Sequence, residues 1–79
     1  MKKIKMIWDF RGPNAAHIAN HHAEHLDEFL TQKGIIDAFT GTETHSDYYS
    51  IAFMVVTENW ALDLRETLKP HRGQYYSQD

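Results

Sequence analysis

Tyr48-Tyr49-Ser50-Ile51-Ala52-Phe53-Met54-Val55-Val56-Thr57 is the run that decides the fold of this chain. Aromatic and β-branched residues dominate it, and no Gly, Pro or charge interrupts it. Alternation sends Tyr49, Ile51, Phe53 and Val55 to one side and Tyr48, Ala52, Met54 and Val56 to the other. Both sides are apolar, so the run predicts a central strand that must be covered on two faces. His45-Ser46-Asp47, just before it, reads as the reversal from the preceding strand.

Working outward, a second strand is predicted at 3–10. Ile4, Met6, Trp8 and Phe10 alternate with Lys3, Lys5 and Asp9, and Ile7 alone interrupts the polar side. Arg11-Gly12-Pro13-Asn14 supplies a turn and a helix start, with Pro suited to the first turn and Asn able to cap. The helix runs to about Lys33, and Ala15, Ile18, Ala19, Ala23, Leu26, Phe29 and Leu30 make one broad apolar face. Gly34 ends it, with Ile35 as the hydrophobic partner of the C-terminal cap. Ile36 to Thr44, rich in Thr and weakened by Gly41, predicts an edge strand.

After the central strand, Glu58 to Leu68 predicts a short helix buried through Trp60 or Ala61, Leu64 and Leu68 and stopped before Pro70. His71 to Ser77 leaves room for one short strand with Tyr75 and Tyr76. The order is βαββαβ, which predicts a single α+β domain over 1–79 of ferredoxin-like type, a four-stranded antiparallel sheet with two helices on one face. If helices cover the Phe53 side, then Ala52, Met54, Val56 and Ile7 need another cover. A homodimer with sheets face to face would supply it.

Composition narrows the function classes. A chain of 79 residues has room for one core, and such a domain buries roughly 60% of its unfolded surface. Without Cys, self-association is the cheapest reinforcement, and the cytoplasm is the default compartment. The opening Met1-Lys2-Lys3-Ile4-Lys5-Met6-Ile7-Trp8-Asp9 reads as neither a signal peptide nor a membrane span, so no membrane partner is expected. A net charge of −3 gives a nucleic-acid role little electrostatic support, although Lys2, Lys3, Lys5 and Arg11 make a local basic patch.

Four of the six histidines lie on the first predicted helix. His17, His21 and His25 recur every fourth residue and form one row beside Glu24 and Glu28. Imidazoles at that spacing share a divalent ion when paired. His17 and His25, however, are separated by roughly 12 Å of helix rise, so the row does not close on one ion, and neither a metal nor a cofactor is expected. His22 falls inward between Ile18 and Leu26, where burial keeps an imidazole neutral. Asp9, at the end of the first strand, is positioned to orient such a base. Lys69-Pro70-His71-Arg72-Gly73-Gln74-Tyr75-Tyr76 concentrates cations and phenols, with Arg72 as a fork for an anion and the Gly73 backbone as a donor.

Arg11-Gly12-Pro13-Asn14-Ala15-Ala16-His17-Ile18-Ala19 resembles the helix opening of the YciI-like proteins, in which Arg-Pro precedes a His within an apolar helix. The later Gly-Thr pair and the apolar third strand also suit that family, and the likeness covers roughly the first 57 residues. It implies a dimeric α+β barrel and an acid–base role for the helix His, which carries over onto His17 alone. Asp9 as its partner comes from its position at the strand end. The chain departs from the pattern in its extra histidines at 21, 22 and 25 and in a shorter stretch between second helix and last strand.

Three readings follow. The first is a homodimeric domain that takes a small anionic molecule near His17, His21, Asp9 and Arg72. The second is an enzyme with His17 or His22 as general base and Asp9 beside it. The third is an interaction module without a ligand.

Overall fold

A computed structural model describes residues 2–76. The elements run β1 (Lys3–Arg11), α1 (Ala15–Lys33), β2 (Phe39–Ser46), β3 (Tyr49–Thr57), α2 (Glu58–Leu68) and β4 (Arg72–Tyr76). The predicted last strand extends to Ser77, which lies outside the described residues. The four strands form one antiparallel sheet in the order β2-β3-β1-β4. With two helices on it, this is an α+β arrangement compatible with a ferredoxin-like fold. No helix among the described residues is long and apolar enough to cross a membrane.

β3 is central, as its two apolar sides require. Its pairing with β1 sets Met6 opposite Met54 and Trp8 opposite Ala52 on one face, and Ile7 opposite Phe53 and Asp9 opposite Ile51 on the other. Both helices lie on the Met54 face. Leu26 and Leu30 of α1 and Leu64 of α2 join Met6, Trp8, Met54 and Val56 in the main core. Ala19 and Ala23 pack closely on Ala52. Covering the Phe53 side with helices is therefore the wrong way round. The uninterrupted apolar side of β1 aligns with Met54 and Ala52 and makes the larger surface to bury. Ile7 belongs to the opposite face, with Phe53.

That opposite face carries no helix, yet Ile7 is 2% exposed, Ile51 2% and Val55 0%. Side chains of the sheet itself cover them. Lys5 reaches across β3 to Glu43 of β2 at 2.7 Å, and its ammonium lies 4.5 Å from the centre of the Phe53 ring. Phe39 of one edge strand meets Tyr76 of the other edge-on, with ring centres 5.7 Å apart, and also abuts Phe53. Of the residues expected to need a second copy, Ala52, Met54 and Val56 lie under the helices and Ile7 under side chains of the sheet.

Local sequence explains most boundaries. Gly34 caps α1 in the left-handed conformation, its N–H donating to Thr31, while the N–H of Ile35 reaches Leu30. Asn14 occupies the N-cap without a side-chain hydrogen bond. In β2 the helix-side threonines tie the edge strand to α1, Thr40 donating to Asp27 at 2.8 Å and Thr42 to Asn20 at 3.0 Å. β2 begins three residues later than predicted, and Ile36 is exposed. His45 and Ser46 stay within β2, so the reversal is Asp47-Tyr48. Ala61, rather than the more exposed Trp60, packs on the core beneath α2.

Gly41 has a specific steric role, since a Cβ there would lie 2.7 Å from the tip of the Phe53 ring. Phe53 is held by Lys5 and Phe39 and does not swing away freely. Gly41→Ala is expected to cost about 1–2 kcal/mol through this overpacking, and Met54→Ala about 2–5 kcal/mol through a core cavity. Urea unfolding of the two variants checks both the magnitudes and their order.

Candidate functional site

β1, β3 and β4 bring their polar side chains together at one corner of the helix-free face. Asp9 is the hub. Arg72 grips its carboxylate with two parallel bonds, Nε to Oδ2 and Nη2 to Oδ1, each 3.1 Å. The Tyr49 hydroxyl donates to Oδ1 at 2.5 Å and accepts from Arg72 Nη2 at 3.1 Å. Arg11 of β1 lies 4.1 Å from the Tyr49 ring centre, and His45 of β2 stacks on the same ring at 5.2 Å. The Arg72 guanidinium and, after it, the Tyr49 hydroxyl hold the Asp9 carboxyl down at about 2. Asp9 in turn raises Arg72 further above its already high range.

His71 joins this corner from the loop before β4. Its Nδ1 accepts the backbone N–H of Asp9 at 2.8 Å, and the backbone N–H of His71 donates to the carbonyl of Ile7 at 2.9 Å. An Nδ1 used as acceptor leaves the neutral ring's proton on Nε2. His71 also borders a cleft of about 640 Å³ on the helix side of the sheet, between α2 and the β1–β4 edge. Ile4 and Met6 line it from β1, and Gly73 removes side-chain bulk from β4. Glu58, Ala61, Leu62 and Arg65 border it from α2, at the i, i+3, i+4, i+7 spacing of one helix stripe. No carboxylate lies within ion-pair distance of Arg65 among the described residues. The volume is that of a small-molecule pocket.

Asp9 and Arg72, both singled out from the sequence, do meet, but as each other's partner. The Arg72 fork assigned to an external anion is filled by an internal carboxylate. His17 and His21 are exposed on α1, away from these groups' hydrogen bonds. The His21 ring leans on His25, which lies 3.6 Å from Glu28. His22 is half-buried against Trp8 and Phe10, with ring centres 5.0 and 5.5 Å away. Trp8 and Phe10 face the helices, so Asp9 between them points to the opposite side of the sheet. Asp9 therefore does not orient His22.

Burial, with smaller contributions from His25 and His71, lowers the His22 pKa. Its Nε2 is buried and has no hydrogen-bond partner among the described residues. No group of three or more metal-ligating side chains occurs among the described residues. Sequence reasoning missed Tyr49, His71 and Arg65. Alternation put Tyr49 on the Asp9 side once the register was known, and the stripe through Ala61 pointed to Arg65. Comparison with known proteins finds no matching family model, curated protein or solved structure.

The folded pKa of Asp9 lies below its ordinary value of 3.8, so the unfolded chain takes up the proton first and acid favours unfolding. The stabilisation is complete above about pH 5 and fades as pH falls through 3.8 towards 2. Asp9→Asn is expected to lower stability by about 1–2 kcal/mol at pH 7, with solvent screening included. The gap between wild type and variant should close in acid, as read from urea midpoints across pH.

Proposed function

We propose that this domain binds a small anionic molecule in the cleft between α2 and β4, with Arg65 as the recognising cation. The observation that carries the reading is the combination of an apolar floor, Ile4 and Met6, with a guanidinium that no described carboxylate neutralises. Arg72 differs in this respect, because an anion would have to displace Asp9 from it. His71 lines the cleft at the same end. Relative to the anion site read from the sequence, the ligand moves away from His17, His21 and the Asp9 carboxylate.

The acid–base reading has less support. His17 is exposed on α1, and His22, its pKa lowered by burial, is not among the residues lining the cleft. A base needs substrate within reach and an acid to complement it. Likeness to the YciI-like helix opening therefore favours the architecture more than the chemistry.

We also propose that the helix-free face is where two copies meet as a dimeric α+β barrel. The support is that this face carries no helix and presents Phe39, 39% exposed, beside Phe53 and Tyr76. The need to bury Ala52, Met54, Val56 and Ile7 no longer supports it, since one chain covers them all.

Backbone amide shifts during titration with octanoate test the cleft. Shifts at Ala61, Arg65, Gly73 and Gln74 are expected, with affinity falling at least threefold in Arg65→Gln; a flat titration overturns the proposal. Sedimentation over a hundredfold concentration range tests the dimer. A folded monomer throughout would remove that part of the reading, and Phe39→Lys is expected to shift a dimer towards monomer.

A further inference from the structure

The cleft is electrically polarised along its length. On the α2 wall, Glu58 stands at the first helical residue and Arg65 two turns later. Seven residues of helix rise separate them by roughly 10 Å, and Ala61 and Leu62 lie between. On the opposite wall Arg72 to Tyr75 of β4 line the cleft. The Tyr75 hydroxyl is 3.4 Å from Glu58 Oε2 and marks the acidic end. His71 and Pro70, at the other end of β4, share the cleft with Arg65.

The acidic end is open to a partner of positive charge. The Lys2 ammonium lies 5.1 Å from the Tyr75 ring centre, and no cation is within ion-pair distance of Glu58 among the described residues. Glu58 is exposed, and its only described side-chain bond is the long one from Tyr75. The cleft thus presents a cationic end, an apolar middle and an anionic end, with the two charges spaced for one extended molecule.

Resting on the small-anion reading of this cleft, we propose that its ligand class is an elongated amphoteric molecule. A carboxylate at one end meets Arg65 and His71. A protonated amine at the other meets Glu58 and Tyr75. An unbranched apolar spacer of about six to eight atoms crosses Ile4, Met6 and Leu62, since a ligand that spans roughly 10 Å satisfies both ends at once. Such a ligand gains specificity from both charges, because each same-length analogue leaves one protein charge unmatched.

Four probes of equal chain length separate the possibilities: 8-aminooctanoate, octanoate, octylamine and suberate, each titrated into the full chain and followed by amide shifts. The expected order has 8-aminooctanoate tightest, about three- to tenfold ahead of octanoate, with octylamine and suberate weaker still. Glu58→Gln should remove the advantage of 8-aminooctanoate, bringing its affinity to that of octanoate. Arg65→Gln should weaken both. Both residues are exposed, so an unchanged circular dichroism spectrum verifies the fold of each variant. Equal binding of octanoate and 8-aminooctanoate overturns the amphoteric class while leaving the small-anion reading standing. No binding by any probe overturns both. Tighter binding of octylamine than octanoate reverses the polarity and likewise overturns both.

Discussion

Burial of β3 on both sides is the constraint from which the rest of the structure follows. Ala52, Met54, Val55 and Val56 are fully covered, and no single layer of helices encloses a strand from two directions. The helices take the side where β1 offers an unbroken apolar partner. The other side is closed by aromatic rings and by charged side chains laid flat, with Lys5 resting on Phe53 and bonded to Glu43. Long side chains serve here as a thin third layer, the stems apolar and the heads wet or paired.

This division explains where chemistry is placed. On the helix-free side the charges are spent on one another: Asp9 on Arg72, Lys5 on Glu43, Arg11 on the Tyr49 ring. Groups so thoroughly matched hold the edge strand β4 and the chain reversals in register. On the helix side, α2 is short and packs mainly on β1 and β3, which leaves a gap along β4. The unmatched charges, Glu58 and Arg65, border that gap.

Much of the architecture was legible because it depends on local periodicity. The two alternating runs, the α1 boundaries with Gly34 as stop, and the α2 limits all come from patterns within one segment. What stayed hidden depends on register between segments. The face of Ile7 is fixed only by its pairing with Phe53, and the occupation of Arg72 only by β4 docking beside Asp9. The histidines illustrate the same limit. Spacing placed His17, His21 and His25 in one row and His22 inward, but nothing in α1 itself signals that His71, far along the chain, is the imidazole bound to the Asp9 backbone.

That last bond has a bearing on solubility. β4 pairs with β1 only from Lys3 to Ile7, so the final residues of β1 would otherwise offer bare peptide groups to any passing strand. The His71 ring occupies the N–H of Asp9 as a neighbouring carbonyl would, and the His71 N–H fills the carbonyl of Ile7. A side chain ends the sheet there without adding another strand. An imidazole presents no continuing ladder of peptide groups, so the row of bonds that drives strand-to-strand aggregation stops at this residue.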